Sequence, residues 1–209
     1  MNKKTPSRKR APKQAKPDNK HKRKRHQFIA AWVRSPMGMG ALLPSSRRLA
    51  RAMVAEIDTS NPGVIIELGA GTGVMTHALL EAGIPPERLL VIERDPKLHE
   101  LLVAQFPNLT VLCEDAANLQ KLLISQNVTK VCAILSSIPF LTIPKPVGKA
   151  IQEQMAKVIG KDGLVVQFTY GIKSPISKKQ LENCGMHAKR TKMVMTNVPP
   201  AHVWVYRQI

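Results

Sequence analysis

The sequence predicts an α/β fold: a mostly parallel sheet with helices packed on both of its faces. Three observations carry this reading. From residue 63 onward, short apolar runs alternate with stretches of helical period. The apolar runs are continuous rather than alternating with polar residues, as strands are when helices cover both faces. The first run also ends in a glycine-rich turn, Gly69-Ala70-Gly71-Thr72-Gly73, that leads directly into a helical pattern.

The elements follow in order. Residues 1–26 hold 12 lysines and arginines against one acid, Asp18, a net of +11 out of +18 for the 209-residue chain. With Pro6, Pro12 and Pro17 and almost nothing apolar, this tail cannot offset its ordering entropy and is expected to be disordered. Residues 27–209 then form the domain, opening with an amphipathic helix and lid over 27–57. Phe28 and Trp32 share a face of a short helix over 27–34, and Ser45 or Ser46 caps a second helix over 45–57. Strands are expected at 64–68, 89–92, 109–113, 131–135 and 163–168, and helices at 74–81, 96–105, 117–125 and 147–159. Residues 192–196 and 202–207, joined by Pro199-Pro200, read as an antiparallel closing pair.

Several classes drop out. No apolar run reaches the roughly 18–20 residues of a membrane-spanning helix. The short apolar stretch after the basic start has no small-residue cleavage site, unlike a secretory signal. Cys113, Cys132 and Cys184 are odd in number and far apart, which predicts neither a disulfide framework nor a metal site. Cys113 and Cys132 fall in apolar runs and read as buried thiols of a reduced, intracellular protein. The charge calls for a polyanion, either nucleic acid or an anionic membrane.

Chemistry gathers at the strand ends. Glu67, beside the glycine turn, opposes a pyrophosphate and suits a ligand with cationic groups. A dinucleotide fingerprint wants its third glycine at position 74, which is Val74 here. Glu93 ends the second run, 20 residues after Gly73, where an acid accepts hydrogen bonds from ribose hydroxyls. Glu114-Asp115-Ala116 follows the third run and offers an acceptor and a backbone N–H to a base edge. Each acid alone reads as a solvated charge at a strand end. Three at consecutive strand ends favour a nucleoside-bearing ligand.

From about residue 45 onward, this pattern resembles the Rossmann-like class I S-adenosylmethionine-dependent methyltransferases. The resemblance implies seven strands with the last antiparallel, and S-adenosyl-L-methionine as cofactor. It implies cofactor contacts at Glu67, Gly69, Gly71, Gly73, Glu93, Asp115 and Ala116. After the fourth run, Ser137-Ile138-Pro139-Phe140 is similar to the turn with which amino-directed members hold the attacking nitrogen. That implies roles for Ser137, Pro139 and Phe140, against the alternative of an ordinary proline turn. Ser137 stands where the ribosomal RNA adenine dimethylases carry Asn.

Longer stretches resemble bacterial phospholipid N-methyltransferases: Phe28-x-x-x-Trp32 with 40–46, 166–171 and 197–206. That family methylates the amino head group of phosphatidylethanolamine towards phosphatidylcholine. The resemblance implies an enzyme bound peripherally to the inner face of the cytoplasmic membrane, with an anionic membrane surface and the phospholipid substrate as partners. Phe28, Trp32 and Arg34 are expected at the lipid interface or, alternatively, in a lid over the cofactor. Tyr170 either hydrogen-bonds the substrate or packs at a strand end. Arg190, Lys192 and Arg207 either neutralise the lipid phosphate or are solvated. The second reading is an RNA adenine N6-methyltransferase whose basic tail binds nucleic acid.

Overall fold

The computed structural model describes residues 47–197 and 199–209. The tail 1–26, the helix with Phe28, Trp32 and Arg34, and the Ser45/Ser46 cap lie outside the described residues.

The described chain runs α1 (Arg47–Val54), β1 (Val64–Leu68), α2 (Val74–Glu81), β2 (Leu89–Glu93), α3 (Pro96–Gln105), β3 (Thr110–Cys113), α4 (Leu119–Ser125), β4 (Val131–Ser136), α5 (Lys145–Val158), β5 (Leu164–Thr169), α6 (Lys178–Asn183), β6 (Met186–Val194) and β7 (Ala201–Gln208). The strands form one seven-stranded sheet in the order β3-β2-β1-β4-β5-β7-β6. β1 to β5 are mutually parallel, and β7 lies antiparallel between β5 and β6. The chain crosses from β3 over β1 to β4, so the order reverses beside β1. Ligands of such sheets bind at the carboxyl ends of the strands on either side of that point.

Alternation of side chains along each strand builds two cores. Ile65, Val91, Leu135, Val166 and Val203 face α1, α2 and α3, where Leu49, Met53, Leu79 and Leu102 meet them. Ile66, Ile92, Ile134, Val165 and Tyr206 face α4 and α5 through Leu119, Leu123, Ile151 and Met155. These apolar runs are buried on both faces, which is why the parallel strands were readable without period-two alternation. The loop before β1 is tied by Arg88, whose guanidinium donates to the carbonyls of Thr59 (2.9 Å), Asn61 (2.6 Å) and Gly63 (3.0 Å). Asp95 caps α3 by accepting from the N–H groups of Lys97 and Leu98, with Pro96 in its first turn.

The structure departs from the sequence reading in several places. α5 begins two residues early because Pro146 is tolerated in a first turn. α1 is a core helix, with Leu49, Ala50 and Met53 fully buried, so this part of the expected lid is packed against the sheet. The strand expected at 192–196 is the longer β6, which begins at Met186 after the unexpected α6. As the edge strand, β6 exposes His187, Lys189, Arg190 and Lys192, so it contains no apolar run to read. Cys113 is exposed, because it ends β3 at the opposite edge; Cys132 is buried as expected.

Candidate active site

Loops at the carboxyl ends of the strands are laced by backbone bonds. The N–H of Gly69 donates to Ile92 O at 2.9 Å, that of Glu114 to Glu93 O at 3.2 Å, and that of Ser137 to Leu68 O at 2.9 Å. This lacing brings Glu67, Glu93, Asp115 and the 137–140 turn to one end of the sheet.

Glu67 lies beneath the glycine turn rather than at its mouth and is fully buried. Its Oε2 accepts from the Thr76 hydroxyl on α2 at 2.7 Å, while its Oε1 is buried without a partner. Burial pushes the carboxyl up to about 8; the Thr76 hydrogen bonds oppose the rise and nearby Glu93 adds to it. A buried carboxylate oxygen with a free lone pair calls for a donor or a cation.

The glycine turn itself uses three left-handed residues, with φ of 71°, 57° and 80° at Gly69, Gly71 and Gly73. Their tasks differ. A Cβ on Gly71 would meet nothing within 4 Å, so open space lies above it. A Cβ on Gly73 would come within 2.7 Å of the Phe106 ring beyond α3. Gly73 therefore serves helix packing as well as the turn.

Glu93 is buried, and both its oxygens already accept: Oε2 from Gly71 N–H at 2.8 Å and Oε1 from Asp95 N–H at 2.9 Å. Each oxygen keeps a second lone pair for a ribose hydroxyl. Asp115 accepts from Ala117 N–H at 2.8 Å, starting a short 3-10 turn on buried Ala116, and its Oδ2 faces Arg94 at 3.6 Å. The orphaned Glu67 Oε1, the open cradle over Gly71 and the spare acceptors on Glu93 fit S-adenosylmethionine.

The acceptor side is built from β4, β5 and β7. In the 137–140 turn, Phe140 N–H donates to Ile138 O at 3.0 Å. The same carbonyl accepts from Gln167 Nε2 at 3.1 Å. Gln167 and His202, both buried, are site residues that sequence reasoning missed. Gln167 sits inside an apolar run, and His202 stands cross-strand from Thr169 at the start of β7, with Nδ1 unpartnered. Tyr170 follows β5 beside Phe168, ring centroids 5.5 Å apart; burial pushes its phenol up and the Asn197 side chain opposes this.

The predicted phosphate-binding residues are not brought together. Arg207 pairs with His187 near the far end of β7, five residues from His202, or roughly 17 Å at an antiparallel rise. The antiparallel direction of β7 puts it at the wrong end of the sheet. Arg190 is exposed midway along β6 opposite Trp204, and Lys192 reaches Glu56 at 3.9 Å. Among the described residues no His/Cys/Asp/Glu group could hold a metal ion, and no helix is long and apolar enough to cross a membrane.

No family model matches the chain. It is 29% identical over 145 residues to the ornithine lipid N-methyltransferase of Singulisphaera acidiphila, a match covering 68% of this chain and 76% of that protein. It is also 29% identical over 174 residues to the ribosomal RNA small subunit methyltransferase A of Chlorobium phaeobacteroides, covering 83% of this chain but 50% of the relative. Among solved structures, the magnesium protoporphyrin IX methyltransferase of Synechocystis PCC 6803 with bound SAM superposes with a TM-score of 0.62 at 14% identity, over 94% of this chain and 100% of that one. A Burkholderia thailandensis 1,6-didemethyltoxoflavin-N1-methyltransferase gives 0.60 at 13% identity, over 95% and 92%. The strand order, the buried carboxylate beneath the glycine turn and these likenesses agree. The chain has the class I methyltransferase fold, takes S-adenosylmethionine as its cofactor and resembles lipid N-methyltransferases in sequence.

Proposed function

We propose that the protein transfers methyl groups to the amino head group of phosphatidylethanolamine at an anionic membrane surface. The observation that carries this reading is the rim of the acceptor side. Four of the seven exposed large apolar side chains among the described residues, Leu141, Ile172, Met193 and Met195, stand on the loops after β4 and β5 and at the end of β6. Residues 137–147, 170–179 and 186–197 contain no acid, and Lys145 and Lys173 flank the apolar side chains. An apolar, cationic, acid-free rim suits insertion among anionic head groups. The described Phe168–Tyr170 pair lies behind it. The tail 1–26 with Phe28, Trp32 and Arg34 would add electrostatic attraction and aromatic anchors.

When bound, S-adenosylmethionine supplies a methyl group on a cationic sulfur. Glu67 would hold its ammonium, Glu93 its ribose, and Asp115 with the Ala116 N–H its adenine edge. The remaining task of the chain is to orient the amine. The Ser137–Phe140 turn would face the amine, with Phe140 excluding water and Tyr170 with Asn197 at the β5 side. The acid-free loops leave water or the lipid phosphate to take the ammonium proton.

The ribosomal RNA relatives and the basic tail favour a second reading, adenine methylation, against which Ser137 lacks an amide. Labelled cofactor offered with phosphatidylethanolamine vesicles, ornithine lipid vesicles and small-subunit RNA tests both readings. Label is expected in phosphatidylethanolamine and to rise with anionic lipid. Label in ornithine lipid alone would change the head group, and label confined to RNA would overturn the lipid reading.

A further inference from the structure

Gln167 is the most constrained polar side chain of the acceptor side. It is 1% exposed in the middle of the sheet, paired with Ser136 of β4 and Trp204 of β7. Its Nε2 donates to two carbonyls, Ile138 O at 3.1 Å and Phe168 O at 2.9 Å. Only an NH₂ group satisfies two carbonyls, so the amide has one orientation. Its Oε1 is then left buried with no partner. The side chain thus braces the 137–140 turn through Nε2 while carrying an unsatisfied acceptor on the same amide carbon. Position 137 of the same turn is Ser, which has no amide carbonyl to offer.

We propose that Gln167 supplies, from β5, the amide acceptor that Ser137 lacks, receiving an N–H of the substrate nitrogen and so aiming its lone pair. The inference rests on the amino-lipid reading above. It has a consequence that a purely structural role would not have. The neutral primary and secondary amines that receive the first and second methyl groups carry an N–H, whereas the tertiary amine that receives the third has none. Gln167 therefore matters for the first two transfers and is silent in the last.

The test compares transfer to phosphatidylethanolamine and to its mono- and dimethylated forms by the native protein and by Gln167→Met, an apolar side chain of similar length. S-Adenosylhomocysteine titration reports whether each protein remains folded. The first two transfers are expected to fall about tenfold or more, as for a lost buried hydrogen bond, with the third unchanged. Adding Ser137→Asn to Gln167→Met is expected to restore part of the first transfer. An equal fall in all three, with S-adenosylhomocysteine still bound, overturns the proposal; a water bridging Gln167 and Trp204 would give that result. If Gln167→Met loses S-adenosylhomocysteine binding, Ser137→Asn in the native chain decides. A raised ratio of first to third transfer supports the proposal, and an unchanged ratio overturns it. A native protein inactive on all three lipids would instead sink the amino-lipid reading.

Discussion

The two halves of the sheet's carboxyl end have opposite chemistry. On the β1–β2–β3 side, Glu67 and Glu93 are buried, and Glu93 and Asp115 are held by backbone N–H groups of the loops they serve. On the β4–β5–β7–β6 side, residues 137–147, 170–179 and 186–197 carry no acid and expose Leu141, Ile172, Met193 and Met195. A cationic small molecule is matched by the first half and an anionic, partly apolar surface by the second. Under the proposed lipid reading, the absence of carboxylates from these loops would avoid repelling an anionic surface and trapping the amine as an ammonium.

The comparison breaks most severely at Gly73. Gly73→Ala forces a side chain into φ of 80° and against Phe106, at a cost of about 2–4 kcal/mol. Thermal unfolding should show the loss even without cofactor.

Glu67→Gln comes next. Removing the charge that meets the ligand's ammonium should lower S-adenosylhomocysteine affinity roughly 10- to 100-fold, measured by calorimetry. The native carboxyl, pushed up to about 8, must lose a proton before it can pair, so native affinity should rise with pH until about 8. Stability of the cofactor-free protein should run the other way. The native state favours the protonated carboxyl, so the Glu67 contribution is full below the ordinary value of 4.5 and is lost as pH rises through about 8. Glu67→Gln should flatten both slopes.

The acceptor half is probed by Leu141→Glu with Ile172→Glu. Sedimentation with anionic vesicles should weaken by about tenfold, while S-adenosylhomocysteine binding stays unchanged. The smallest effect belongs to Arg51→Ala, which removes an exposed 3.0 Å pair with Glu81 on the far side of α1. Chemical denaturation should shift by no more than about 0.5 kcal/mol.

The cofactor half was nearly all readable in the sequence because its residues occupy the ends of apolar strands at fixed offsets from a glycine turn. The acceptor half was read less well, for physical reasons. Gln167 is one polar residue in a buried run, and its importance comes from a carbonyl 29 positions away. β6 is solvated along one edge and so carries no hydrophobic period. Arg207 ends a strand already expected to be antiparallel, and that direction is what carries its charge away from the site. Cys113 looked buried because edge and central strands share composition when the edge is short.

β6 itself has an effect beyond the site. Its pairing with β7 slips by one residue between Arg190 and Lys192, and Lys189, Arg190 and Lys192 crowd the same stretch. A second copy approaching this border would meet like charges and N–H groups out of step with its own carbonyls. Under the proposed membrane attachment, this border would discourage the sheet from growing into a fibril where molecules concentrate on a two-dimensional surface and exposed edges collide most often.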